Sequence, residues 1–221
     1  MIQVMKKSFD EVFEKGKNPL IKLICFDMGG VYFDGDFRDF LKQINTNLSQ
    51  NIKPRHDQKL ILNEKLNLGQ MRITDWVEDN IGGRSLSVDE RKTVNELWES
   101  IWHPNSDMKK LVEELKANNY YVGFFSNMDE QNGDIYKERG DFDVFDVEYR
   151  YLSYDVGYTK PHREFFEHMI KSSKFEPYQI LLIDDHEKNV IEAKNLGFQA
   201  IQYHGDIEKL KTDLKEIGIK I

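Results

Sequence analysis

Residues 21–31 read Ile21-Lys22-Leu23-Ile24-Cys25-Phe26-Asp27-Met28-Gly29-Gly30-Val31, and this stretch decides the fold. A compact apolar run stops abruptly at an acidic residue, and two glycines follow shortly after. A strand covered on both faces is apolar almost throughout and ends where a polar loop begins. The same pattern returns far downstream. Residues 120–125 stop at Ser126-Asn127, residues 179–183 at Asp184-Asp185, and residues 198–203 at His204-Gly205. Residues 144–149 are a weaker version of the same signal.

Helical periodicity fills the gaps between these runs. Residues 107–118 carry Met108, Leu111, Val112 and Leu115 at helical spacing. Residues 161–171 open on Pro161, read as a first helical position. Residues 186–196 turn Val190, Ile191 and Ala193 inward and end at Gly197; residues 206–217 end at Gly218. A short amphipathic helix is predicted over 8–16. Strands alternating with helices imply an α/β fold, a parallel sheet covered on both faces. Residues 34–105 break the alternation and show only helical periodicity: Phe37, Phe40, Leu41 and Ile44; Leu60, Ile61 and Leu62; Trp76, Val77 and Ile81. Ser87-Val88-Asp89-Glu90 is a capping-box pattern opening a helix through Ile101. The expected organisation is a core from 1–33 and 106–221 interrupted by an all-helical insertion over 34–105.

Composition narrows the function. With 31 Lys plus Arg against 39 Asp plus Glu, the net charge is −8, which argues against a nucleic-acid partner needing a basic face. A local positive site for a small phosphorylated ligand is compatible with it. One cysteine, Cys25, excludes an internal disulfide framework and a cysteine-built zinc site. The apolar runs are too short to cross a bilayer, and the first residues lack the apolar stretch of a secretory signal, so no membrane partner and a cytoplasmic location are expected. Asn47-Leu48-Ser49 is then a chance sequon.

Polar residues gather where the apolar strands end: Asp27, Ser126-Asn127, Lys160-Pro161, and Asp184-Asp185 with Asn189. Open parallel sheets bind ligands just outside the carboxyl ends of their strands. Brought together there, Asp27, Asp184 and Asp185 would repel one another unless a cation lay between them. All-oxygen donors suit Mg2+, which takes one or two carboxylates and shares a phosphate oxygen. Lys160 supplies a positive charge and Ser126 a hydroxyl donor for the same phosphate. Asp27 could then attack phosphorus through its remaining oxygen, covalent carboxylate catalysis. Taken singly, each residue has a plainer reading. Asp27 or Asp185 would be a turn or cap residue, Ser126 a satisfied strand-end hydroxyl and Lys160 a solvated charge. The joint pattern, in this order, carries the inference.

That order resembles the haloacid dehalogenase-like hydrolase superfamily, most of whose members are phosphatases. The matching segments are Asp27-Met28-Gly29-Gly30-Val31, Phe125-Ser126-Asn127, Gly157-Tyr158-Thr159-Lys160-Pro161, and Ile183-Asp184-Asp185-His186-Glu187-Lys188-Asn189. The resemblance spans essentially the whole chain, because the 34–105 insertion falls where many members carry a helical cap. It implies a Rossmann-like three-layer core. It also implies Asp27 as nucleophile, Mg2+ held by Asp27, the Gly29 carbonyl and Asp184, and Asp185 supporting the metal or orienting Lys160. Ser126 and Lys160 would hold the phosphoryl group, with the backbone of Asn127 nearby. The implied activity is hydrolysis of a small phosphorylated metabolite, sugar phosphates among them, by a monomer or homodimer.

One departure matters. Most phosphatases of this kind carry a second Asp, a general acid, two residues after the nucleophile; here the position is Gly29. General acid catalysis is worth about 10²–10⁴-fold, so leaving groups needing little protonation are expected: sugar 1-phosphates, acyl phosphates or aryl phosphates. Asp34 and Asp36 lie close downstream, and Asp36 reads as the cap of a helix starting at Phe37. His162 and His186 read as first-turn helix residues. Trp76, Trp98, Trp102 and Arg84 fall in the insertion; the tryptophans read as packing residues and Arg84 as a candidate for a distal anion. Gly29 also favours a protein that binds phospho-ligands without turnover, and a phosphoryl mutase is a further alternative.

Overall fold

The computed structural model describes residues 21–52 and 64–221. The helix expected over 8–16 and the apolar positions Leu60, Ile61 and Leu62 lie outside them. At the centre is a five-stranded sheet, all of whose pairings are parallel. Its strands are β1 (Leu23–Phe26), β4 (Tyr121–Ser126), β5 (Arg150–Leu152), β6 (Ile180–Asp184) and β7 (Gln199–Gln202), ordered β5-β4-β1-β6-β7. The chain builds outward from β1 to β4 and β5, then returns to the other side of β1 for β6 and β7. That reversal puts the carboxyl ends of β4, β1 and β6 side by side at a switch point.

Alternation along the strands makes three layers. Ile24 and Phe26 of β1 face one side, where they join Met108, Leu111 and Leu115 of α4 (Ser106–Ala117) and Leu210 and Leu214 of α9 (Ile207–Glu216). Leu23 and Cys25 face the other, against Phe165, Phe166 and Met169 of α7 (Arg163–Ser173) and Ala193 of α8 (Glu187–Asn195). Each fully buried Leu, Ile or Phe contributes about 1.5–3 kcal/mol relative to exposure. Burial also pushes the Cys25 thiol up, so it stays protonated in the core.

Between β1 and α4 lie α1 (Phe37–Asn47), α2 (Ile73–Asn80) and α3 (Val88–Ser100). They enclose a separate apolar cluster of Phe40, Ile44, Trp76, Val77, Val94, Trp98 and Ile101. Aromatic edges organise it: Phe37 and Trp76 lie 5.4 Å apart and Phe40 and Trp98 5.0 Å apart, both near perpendicular. Asp36 caps α1 by accepting from the Arg38 amide. Ser87 and Glu90 form the reciprocal capping box of α3.

Four local readings need correction. The ends of the 34–105 stretch are not helical: β2 (Phe33–Asp34) pairs antiparallel with β3 (His103–Pro104), a ribbon where the chain leaves and re-enters the core. Two residues per strand carry no periodicity to read. The strand expected over 144–149 is instead β5 at Arg150–Leu152. Phe142 and Phe145, three apart, both turn onto Phe124, which forces a turn conformation, and Asp146 docks on Val122 before pairing begins. Pro161 is not in a helix; the Lys160–Pro161 peptide is cis and α7 starts at Arg163 with His162 as N-cap. Ile191 is half exposed, because the buried face of α8 is defined by Val190 and Ala193 and Ile191 lies about 100° from it.

Candidate active site

Asp27 follows β1, Ser126 ends β4 and Asp184 ends β6, so the sheet order alone brings three of the expected residues to one place. Lys160 arrives from the loop after α6 (Ser153–Val156). Its ammonium lies 3.0 Å from Asp27 Oδ1 and 2.6 Å from Asp184 Oδ2, with the side chain 1% exposed. Asp27 Oδ1 is a convergence point. Besides Lys160, it accepts from the Met28 amide at 2.7 Å and from Ser126 Oγ at 3.1 Å. Among the described residues no protein donor is bonded to Asp27 Oδ2. The carboxylate is thus held by one oxygen and open at the other.

Asp184 is fully buried, yet it accepts from the His186 amide at 2.9 Å and from Asn189 Nδ2 at 2.9 and 3.0 Å. Burial alone would raise its pKa; the Lys160 charge and these hydrogen bonds outweigh it and hold the carboxyl below its ordinary value. Asp27 goes the other way. Burial, reinforced by the charges of Asp184 and Asp185 and opposed by Lys160, pushes its carboxyl up to about 7. Burial would lower Lys160, but the two carboxylates dominate and keep it above the ordinary lysine value, an ammonium throughout the neutral range.

Asn127 has a role the sequence did not reveal. Its side-chain amide clamps the Lys160 main chain, accepting from the Lys160 amide at 2.7 Å and donating to the Lys160 carbonyl at 3.0 Å. Among the described residues no hydrogen bond or ion pair joins Asp185 to Lys160. Asp185 instead bonds His186 Nδ1 through Oδ1 at 2.7 Å. Its other oxygen lies against Gly30, where a Cβ would sit only 2.7 Å away and where φ is +75°. Gly30 is therefore required twice over, by backbone and by space. Gly29 sits in the same loop.

His186, read from sequence as a helix residue, is the N-cap of α8 and an unforeseen neighbour of the carboxylates. Ligand atoms of Asp27, Asp184, Asp185 and His186 all lie within 4.8 Å of one another. Hydrogen bonding to Asp185 raises the His186 pKa. Spacing alone hid it, since only the position of Asp185 turns that ring toward the site. Arg84 is engaged by Glu90 in the turn opening α3, 2.9 Å apart, rather than left open for an anion. Trp76 and Trp98 pack inside the helical cluster; Trp98 Nε1 also donates to Asp129 Oδ2 at 3.4 Å across to the core. Among the described residues no helix is long and apolar enough to cross a membrane.

Comparison with known proteins agrees with this geometry. The model of a family described as haloacid dehalogenase-like hydrolase matches residues 21–197. A D-ribitol-5-phosphate phosphatase of Bacteroides thetaiotaomicron is 29% identical over 83% of this chain and 92% of its own. A sesquiterpene phosphatase of Aspergillus oryzae is 26% identical over 80% of this chain and 86% of its own. A haloacid dehalogenase family enzyme of Bacteroides thetaiotaomicron, solved with magnesium and inorganic phosphate, superposes with a TM-score of 0.69 at 22% identity, covering 86% of this chain and 98% of that one.

Proposed function

The chain belongs to the haloacid dehalogenase-like hydrolase family, and from that premise we propose that it is a Mg2+-dependent phosphatase of small phosphorylated metabolites, with Asp27 as the nucleophile. One observation carries the proposal: a buried carboxylate at the switch point shares one oxygen with Lys160 and Ser126 while its other oxygen stays open. A sugar phosphate is the favoured substrate class, a reading supported by the D-ribitol-5-phosphate phosphatase among its relatives.

The donor set fits Mg2+. Carboxylate oxygens of Asp27, Asp184 and Asp185 cluster tightly enough to share a cation, and hard oxygen donors are what it prefers. Those residues, with the Gly29 carbonyl, would hold it. When bound, it neutralises charge on the phosphoryl oxygens. The remaining chemistry falls to the chain. Lys160 and Ser126 orient the phosphoryl group, and Asn127 fixes Lys160 so that no reorganisation is needed as charge develops. An oxygen of Asp27 bonds to phosphorus as the bond to the leaving oxygen breaks, and that oxygen takes its proton from water because Gly29 offers none. Water then attacks the aspartyl phosphate, the phosphorus–Asp27 bond breaks, and inorganic phosphate and the free carboxylate result.

The proposal includes a division into a core of 1–33 and 106–221 and a cap of 34–105, supported by the separate apolar cluster of α1–α3. It also includes a cytoplasmic location, and action as a monomer or homodimer on a small metabolite, without nucleic acid or membrane.

The test is phosphate release from p-nitrophenyl phosphate with and without MgCl2. Turnover should vanish in EDTA and in Asp27→Asn. A folded wild-type protein that shows no Mg2+-dependent release overturns the reading in favour of phospho-ligand binding, which Gly29 alone favours. Transfer of the phosphoryl group back to substrate instead of water would mark a mutase.

A further inference from the structure

We propose that Trp102 determines substrate specificity at this site, its indole standing against Gly29 and selecting phosphomonoesters whose leaving group offers a flat C–H or aromatic face. The proposal rests on the phosphatase reading above and names the substrate class for it.

Gly29 is not demanded by its own backbone. Unlike Gly30, it is not among the glycines of positive φ, and an added Cβ would meet nothing nearer than Trp102, at 3.9 Å from Cζ3 and 4.0 Å from Cη2. The volume into which a longer side chain at position 29 would grow is occupied by the six-membered ring of the indole. That ring is also confined by Gly35. A Cβ on Gly35 would fall 2.5 Å from Trp102 Cε3 and 2.5 Å from the Ile101 carbonyl, so only glycine lets the ring settle there. The Trp102 carbonyl accepts from the Arg139 guanidinium of the core at 3.3 Å. The indole is thus clamped at Gly35 with its far corner aimed at the loop that carries Asp27.

Its exposure separates Trp102 from the other two tryptophans. Trp76 and Trp98 are 3% and 5% exposed, inside the cap cluster. Trp102 is only partly buried, and it packs against both the core and the cap clusters. Among the described residues no aromatic ring stacks on it. A clamped, half-open indole standing against Gly29, itself two residues along the loop from the nucleophile, offers a platform of fixed orientation at little entropic cost on binding. Two independent features then favour the same substrates. The missing acid at position 29 favours leaving groups that depart with little protonation, and aryl and ring-closed sugar 1-phosphate leaving groups also have faces that fit an indole. A compact acyl phosphate departs as readily but has no such face.

The experiment uses that contrast. Wild type, Trp102→Phe and Trp102→Leu are assayed on p-nitrophenyl phosphate, a hexose 1-phosphate and acetyl phosphate. Trp102→Leu should lose about ten-fold in kcat/KM, mostly as KM, on the two ring substrates and less than about two-fold on acetyl phosphate, the scale at which an apolar pocket discriminates. Trp102→Phe should keep most of the wild-type preference. Equal losses on all three substrates would make Trp102 a seam-packing residue and overturn the proposal, as would no loss. A binding arm keeps it independent of turnover. In an Asp27→Asn background, calorimetry should show p-nitrophenyl phosphate binding tighter than inorganic phosphate, a margin that disappears when Trp102→Leu is added. An unchanged margin overturns the role of Trp102 even if the enzyme is active. A wild type without turnover but with a margin that Trp102→Leu abolishes overturns only the phosphatase reading.

Discussion

Replacing Lys160 by Met removes the one cation that the site's carboxylates share, and its cost follows from the geometry. The ammonium lies 3.0 Å from Asp27 Oδ1 and 2.6 Å from Asp184 Oδ2, almost wholly out of solvent. At an effective dielectric constant of about 20, each attraction is worth about 5–6 kcal/mol gross, and the desolvation of these ions, several kcal/mol apiece, offsets most of that. Met preserves the apolar stem beside Phe125, whose ring centre is 5.4 Å from Nζ, so the change isolates the charge. What remains is Asp27 and Asp184 in a buried site without the ammonium they shared, beside Asp185 and His186. Breaking a buried pair in this way costs about 3–5 kcal/mol, and that is the expected loss in EDTA. Excess MgCl2 should stabilise Lys160→Met more than wild type, because a cation meets a cluster one charge more negative. The double variant Asp27→Asn/Lys160→Met should recover part of the loss, since it removes one of the two charges left without Lys160 and the repulsion between them. Urea unfolding near neutral pH, with EDTA or MgCl2, reads all three. A Lys160→Met protein as stable as wild type in EDTA would show that these groups do not share a buried site.

The other predictions concern the residues around that centre. Asn127→Ala should cost about 1–3 kcal/mol for its two hydrogen bonds to the Lys160 main chain, and the freed loop should lower kcat/KM on p-nitrophenyl phosphate; unchanged kinetics would show that Lys160 needs no clamp. Gly30→Ala places a Cβ 2.7 Å from Asp185 Oδ2 at a φ of +75°, so a loss of at least about 1–2 kcal/mol should accompany weaker Mg2+ binding by calorimetry. Burial drives the Asp129 carboxyl up to about 6, against hydrogen bonds from Asn132 and Trp98. Its folded pKa thus exceeds the ordinary value of about 3.9, so its contribution is intact below about pH 4 and is lost as pH rises through about 6, by about 2–3 kcal/mol. Asp129→Asn should reduce the slope of urea midpoints across the interval, leaving the share that Asp27 contributes, and an unchanged slope would overturn the assignment to Asp129.

Much of this was legible because the signals are local. The run from Ile21 to Phe26 is apolar and then stops, and no neighbour is needed to see a strand ending at Asp27. The Asp36 cap and the Ser87–Glu90 box are likewise written within four residues. Where local signals compete, reading failed: Val144 and Val147 imitate a strand, but Phe142 and Phe145 have a better use against Phe124. Pro161 resembles a helix start, yet the chain there is shaped by the Asn127 side chain on Lys160, a partner 33 residues away.

The sequence by itself therefore determined the α/β alternation, the helical insertion and which polar residues stand at strand ends. Each of those is set by side-chain period and backbone propensity over a few residues. Only the tertiary structure decided which of those residues meet. Ser126 reaches Asp27 across 99 positions because β4 and β1 are neighbours in the sheet, and strand order is settled by packing of whole layers. The same holds for the seam between Gly29, Gly35 and Trp102: what fills the space beside a glycine depends on how the chain returns from α3 to the sheet, and nothing within reach of position 29 along the chain records it.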